Sequence, residues 1–179
     1  LKIIEIDSLN SIAYNSAGNL FLGDLNDLEK AEEYLLKGYE LDNNQFNLNF
    51  NLARLYNKKE EYALSIKYYE KAIEINPQDK DLYYYITTPY EKLRMYEEAE
   101  KNYLKAIELD AKDSDVYFDL GELYEYNFKI YEKAISQYLK ILEFENEDHV
   151  NAYYAIARIY FYDLNDNEKA VQYLKKAND

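Results

Sequence analysis

Between Leu64 and Ile75 the apolar residues Leu64, Ile66, Tyr68, Tyr69, Ala72, Ile73 and Ile75 recur at helical spacing, which predicts a helix with one buried face. The same arrangement returns along the chain. Lys71-Ala72-Ile73-Glu74-Ile75-Asn76 reappears 34 residues later as Lys105-Ala106-Ile107-Glu108-Leu109-Asp110. Related segments begin at Lys2 and Lys140. Self-similarity on this period marks an array of helical hairpins. The pattern predicts first helices near 11–22, 46–57, 80–93, 114–126 and 150–162. Second helices are predicted near 29–41, 61–75, 96–109, 130–144 and 167–177, with residues 1–6 as the tail of a preceding second helix. No Pro-, Gly- or Ser-rich linker interrupts the array, so a single domain over 1–179 is expected.

Smaller signals support these boundaries. Ala53, Ala72, Ala99, Gly121 and Ala157 fall where two helices must approach closely, and Tyr56, Tyr69, Tyr90 and Tyr103 are bulky enough to fill the adjoining gaps. Asn26-Asp27-Leu28-Glu29 and Asn165-Asp166-Asn167-Glu168 read as capping boxes that open second helices. Glu33 with Lys37, and Glu97 with Lys101, are favourable i,i+4 pairs. Pro89 lies inside a first helix and predicts a bend there, with a local widening of the adjoining surface as the functional alternative.

Residues 46–79 carry Leu52-Ala53, Tyr56, Tyr69, Ala72 and Pro77, with Ser65 and Asn49 as departures from the consensus. Residues 80–113 carry Tyr83, Ile86, Tyr90, Ala99, Tyr103 and Ala106. Residues 114–149 carry Tyr117, Leu120-Gly121, Tyr124, Ala134 and Tyr138, and residues 150–179 carry Tyr153, Ile156-Ala157, Tyr160, Ala170, Leu174 and Ala177. Residues 11–45 match more loosely through Tyr14, Ala17-Gly18, Phe21, Ala31, Leu35 and Gly38. In these positions the chain resembles the tetratricopeptide repeat (TPR) family. The resemblance implies an all-α, right-handed superhelical solenoid of five helix-turn-helix repeats, 11–45, 46–79, 80–113, 114–149 and 150–179. It also implies a protein–protein interaction scaffold that holds a peptide or helical segment in a concave groove lined by the first helices.

By register, the groove face carries Asn15, Asn19, Asn47, Phe50, Asn51 and Arg54, then Tyr84, Tyr85 and Thr88. It continues with Asp115, Phe118, Asp119 and Glu122, and ends with Asn151, Tyr154 and Arg158. Phe50, Tyr84, Phe118 and Tyr154 hold equivalent places, either as ligand contacts or as packing between helices. Asp115, Asp119, Glu122 and Glu125 make the fourth repeat acidic while Arg54 and Arg158 flank it, which fits a partner with a basic middle and a carboxylate-bearing end. One TPR subclass clamps acidic chaperone tails with Lys and Asn on one first helix, Asn on the next, and Lys and Arg on the third. Here acids stand at the cation places, so that specificity is not expected.

Composition narrows the partners further. The formal net charge is −14, which disfavours nucleic acid and anionic membrane surfaces. No apolar run is long enough to insert in a membrane. Cysteine is absent and His149 is the single histidine, so neither a thiolate site nor a histidine-based catalytic or metal site is expected. Asp163, Asn165 and Asn167 begin like a calcium loop but lack its glycine and closing glutamate, and capping accounts for them. No cofactor, metal or turnover is expected. The 23 tyrosines point to aromatic packing on a large scale. The chain begins at Leu1 in mid-repeat, which predicts a longer parent protein in which the array could also act as a spacer, as a self-associating module through its ends, or as the recruiting arm of an enzyme.

Overall fold

The computed structural model describes residues 10–144 and 150–178. The expected tail helix at 1–6 and His149 lie outside the described residues. The described secondary structure is entirely helical, in paired antiparallel elements. The chain forms two compact bodies, one ending at Met95 and the other beginning at Tyr96.

The N-terminal body contains α1 (Ser11–Leu22), α2 (Leu28–Leu41), α3 (Phe46–Lys58), α4 (Tyr62–Ile75), α5 (Lys80–Tyr85) and α6 (Thr87–Lys92). Leu22, Ala31, Leu35, Leu48, Leu52, Ala53 and Ala72 form its dry centre. Close approach is specified by small residues: a Cβ on Gly18 would lie 2.5 Å from Cγ of Leu35. The two departures from the repeat pattern are both explained by hydrogen bonds. Ser65, buried where alanine is usual, donates its hydroxyl to the carbonyl of Ala53 at 2.9 Å. Asn49, at an aromatic position, is fully buried and its amide donates to the carbonyls of Asn43 and Gln45, tying down the preceding turn.

Pro89 acts as its chemistry requires. Without an N–H it has nothing to give the carbonyl of Tyr85, four residues back, and its ring crowds that carbonyl. The helix is interrupted at Ile86 and restarts at Thr87, which leaves Pro89 in the first turn of α6, where proline is tolerated.

The C-terminal body contains α7 (Tyr96–Leu109), α8 (Ser114–Glu122), α9 (Tyr131–Ile141), α10 (Val150–Arg158) and α11 (Asn167–Lys176). Two π-helical segments, Leu123–Phe128 and Ile159–Asp163, extend α8 and α10. They have a common origin in spacing. From Phe46 to Tyr62, and from Lys80 to Tyr96, the second helix begins 16 residues after the first, whereas from Ser11, Ser114 and Val150 it begins 17 residues on. The extra residue is absorbed at the end of the first helix. In the shorter repeats the closing backbone bonds run from Glu61 N–H to the Tyr56 carbonyl and from Met95 to Tyr90. In the longer ones they run from Asp27 to Phe21, Ile130 to Tyr124 and Asp166 to Tyr160, one residue wider. The repeat pattern places such an inserted residue at the turn between helices or after the second helix, and in these three repeats it widens the closing turn of the first helix.

All five of these hairpins place the residue before the N-cap in the left-handed region: Asn26, Glu60, Arg94, Lys129 and Asn165, with φ between 48° and 60°. This corrects the capping boxes expected at Asn26 and Asn165. The caps are Asp27 and Asp166, whose carboxylates accept from the N–H of Lys30 and Lys169, and the asparagines serve the left-handed turn instead. Those N–H bonds and the facing lysines hold both cap carboxyls below the ordinary aspartate range. A non-glycine residue in this region is strained by roughly 1–2 kcal/mol. After allowance for the greater freedom of an unfolded glycine, Lys129→Gly is expected to stabilise the chain by about 0.5–1 kcal/mol. A rise in urea midpoint at constant slope would bear this out, and a lower midpoint would refute it.

Candidate functional site

Some of the expected groove residues of the N-terminal body share one cavity with residues outside that set. Phe50, Arg54, Asn57, Lys58, Tyr69 and Tyr85 line a space of about 500 Å³, within the range of sites that bind small ligands or peptide side chains. Three of these, Phe50, Arg54 and Tyr85, belong to the candidate set read from the sequence. Phe50, Arg54, Asn57 and Lys58 all come from α3, at the spacing that aligns residues on one helix face. Tyr69 comes from α4, and Tyr85 ends α5 immediately before the interruption forced by Pro89.

The aromatic walls are mutually supported. The Phe50 ring centroid lies 6.1 Å from Tyr69 and 5.7 Å from Tyr85, and Tyr84 stands 5.8 Å from Tyr85. Phe50 is thus both wall and packing. Tyr85 remains 43% exposed, and burial pushes the Tyr69 phenol well above its ordinary pKa. The Arg54 guanidinium sits 5.7 Å from the Phe50 centroid, in cation–π range.

Beside the cavity runs a line of amides. Asn51 is buried and its amide donates to the Asn15 side-chain oxygen at 2.9 Å. Arg54 reaches the side-chain oxygens of Asn19 and Asn51, both at 3.5 Å. Asn47 and Thr88 are exposed but are not among the residues lining the cavity.

The candidates of the C-terminal body are arranged differently. Arg158 forms a two-point ion pair with Glu125, both contacts 2.9 Å, and Tyr138 donates its hydroxyl to the same carboxylate at 3.0 Å. Glu125 is only 3% exposed, whereas the Arg158 side chain keeps 38% of its surface. The carboxylate hydrogen bonds hold the guanidinium above its ordinary pKa, while burial, followed by the Glu125 charge, drives the Tyr138 phenol upward. Phe118 packs 5.3 Å from Tyr138 between ring centroids, and a Cβ on Gly121 would stand 2.5 Å from Cε1 of the same ring. Asp119 and Glu122 are half-buried, and Asp115, Asn151 and Tyr154 are exposed. Here, then, Arg158 and Glu125 are engaged with each other.

Among the described residues no cluster of His, Cys, Asp or Glu is placed to hold a metal ion, and no helix is long and apolar enough to cross a membrane.

A tetratricopeptide repeat family model matches residues 12–45, 46–79, 90–113 and 150–179, and a second tetratricopeptide repeat model matches 102–136. The chain belongs to the tetratricopeptide repeat family. The repeats of this family serve as protein-interaction scaffolds, and the all-α repeat architecture agrees with that class. No curated protein matches the chain. Solved TPR structures do. The crystal structure of YrrB, described as a TPR protein with an unusual peptide-binding site, is 29% identical and superposes with a TM-score of 0.79, covering 98% of this chain and 89% of that one. A crystal structure of MamA is 22% identical with a TM-score of 0.83, covering 93% and 89%. MamA from Desulfovibrio magneticus RS-1 is 15% identical with a TM-score of 0.79, covering 94% and 93%. The two MamA structures bear on the fold alone.

Proposed function

We propose that this TPR array is a scaffold that holds a peptide or helical segment of a partner protein on the first-helix face of its N-terminal body. The observation that carries the reading is the cavity between Phe50, Tyr69 and Tyr85, flanked by the Asn15–Asn51 amides and by Arg54. Rigid aromatic walls supply apolar contact at low entropic cost, and neighbouring amides can hold a peptide backbone. The peptide-binding site described for YrrB, a TPR protein 29% identical to this chain, supports the same reading.

An Arg54→Ala, Tyr85→Ala double variant is the appropriate test. Arg158 is left intact because its loss would strand Glu125. Each truncation is expected to cost about 1–2 kcal/mol of binding, at unchanged helicity by circular dichroism. A partner segment retained equally by wild type and variant would move the site elsewhere on the molecule.

A second reading, self-association, draws on α11, where Val171 and Leu174 are 50% and 39% exposed. Concentration-dependent mass in sedimentation would support it, and a monomer across the accessible range would remove it.

A further inference from the structure

The cavity has an electrostatic property that peptide binding in general does not require. Arg54 and Lys58 lie four residues apart on α3, so their side chains emerge on one face about 5–6 Å apart at Cβ. Two cations so placed repel each other, and on a chain with 35 acidic residues a compensating carboxylate would be easy to supply. None is supplied. Among the described residues neither side chain has an ion-pair partner: Arg54 donates hydrogen bonds only to the Asn19 and Asn51 side-chain oxygens, and Lys58 donates to the Leu22 carbonyl at 3.1 Å and the Asn26 side-chain oxygen at 3.4 Å. Every one of those partners is a neutral oxygen. Between the two cations in sequence, Asn57 lines the same cavity.

Taken together, the wall offers positive charge and three aromatic rings within one space. The complementary group is a carboxylate carried beside an apolar side chain. The surroundings decide where in a partner that group lies. Hydrogen-bonding side chains extend from the cavity along α1 and α3, through Asn15, Asn19 and Asn51, and Tyr84 and Thr88 continue on the other side, along α5 and α6. A bound chain therefore has contacts on both sides of the cavity.

We infer that the cavity of the N-terminal body recognises an internal acidic residue of the partner segment, Asp or Glu, flanked by a bulky apolar residue. The carboxylate meets Arg54 and Lys58, and the apolar side chain rests on Phe50, Tyr69 and Tyr85. This rests on the peptide-binding reading above and names the residue pair that the site selects. It differs from the chaperone-tail clamp, whose cation places are occupied here by other residue types.

The test uses Nα-acetylated, C-amidated peptide pools with randomised flanks on either side of a fixed Leu-Glu pair, and a matched pool with Leu-Gln. A third pool pairs Leu-Gln with a free C-terminal carboxylate. Retention on the whole chain is read by mass spectrometry at low and physiological salt. The Leu-Glu pool is expected to be retained about tenfold more strongly than Leu-Gln, as a charge-assisted contact requires. That preference should shrink as salt rises, and should vanish in Arg54→Gln and weaken in Lys58→Gln, each checked for unchanged helicity. Equal retention of both amidated pools, with loss of both in Tyr85→Ala, would overturn the carboxylate inference and leave the peptide groove standing. Preference for the free-terminus pool, or a Glu preference that survives Arg54→Gln, would also overturn it. Retention of no pool would overturn the inference and the groove reading together.

Discussion

Arg158→Ala is expected to destabilise the C-terminal body by about 3–5 kcal/mol, the cost of leaving a buried charge without its partner. The magnitude follows from which group is stranded. Glu125 is 3% exposed and cannot recover its hydration when the guanidinium is removed, whereas Arg158, with 38% of its side chain exposed, keeps part of its own. Glu125→Gln should therefore cost less than Arg158→Ala. Replacing the whole cluster should behave differently. Arg158→Met with Glu125→Leu and Tyr138→Phe leaves no polar group unmet and is expected to lie near wild type, since exchanging a buried pair for apolar residues is often neutral. Urea unfolding followed by circular dichroism measures all of these. A triple variant as unstable as Arg158→Ala would mean that volume, and not charge, governs the site.

The second large effect is alkaline unfolding. Burial raises the phenols of Tyr69 and Tyr138, which are 2% and 0% exposed, and also those of Tyr56 and Tyr124. Tyr56 and Tyr124 additionally donate to the carboxylates of Glu32 and Glu100. For each, the neutral form is favoured in the fold, so the stabilisation is complete below the unfolded tyrosine value of 10.0 and is lost as pH rises above it. Above that point the native state holds more protons, and stability falls by about 1.4 kcal/mol per pH unit for each fully protected phenol. The Glu32 ion pair raises Lys59 above the ordinary lysine value, so that contribution too is lost with rising pH. Helicity is expected to collapse cooperatively above pH 10, with a coincident steep rise in phenolate absorbance near 295 nm. A smooth phenolate titration with unchanged helicity would show that the buried hydroxyls reach solvent without unfolding.

The helices themselves were legible because apolar spacing, small residues at close approaches and the position of Pro89 all point to the same register. Observed boundaries fall within a few residues of those expected, for example Tyr62–Ile75 against 61–75 and Tyr96–Leu109 against 96–109. The wide turns were not legible. An extra residue between Tyr124 and Tyr131 satisfies the hydrophobic pattern wherever it sits, and only backbone hydrogen bonding decides for a π-helical segment. The caps were displaced by one position because Asn and Asp both cap helices, while Asn tolerates the left-handed region and so takes the turn at Asn26 and Asn165. Of the residues around the cavity, register placed Phe50, Arg54 and Tyr85 on the expected groove face, while Asn57, Lys58 and Tyr69 were not in that set. Asn57 and Lys58 follow Arg54 at three and four residues on the same helix, a signal that reading the whole face of α3 would have caught. The pairing of Glu125 with Arg158 crosses 33 residues of sequence. A glutamate on a groove face reads as solvated until packing shows that Tyr138 and Arg158 close over it.

The two hairpin lengths also bear on how such a gene can change. Five hairpins in one polypeptide share the same left-handed step, yet three contain one codon more than the other two. An in-frame triplet gained or lost at these places alters a single wide turn, and the downstream helix still starts on its own cap. Such indels would be nearly silent for folding, so length differences among descendants of this sequence should concentrate there, and the paired helices should keep their lengths.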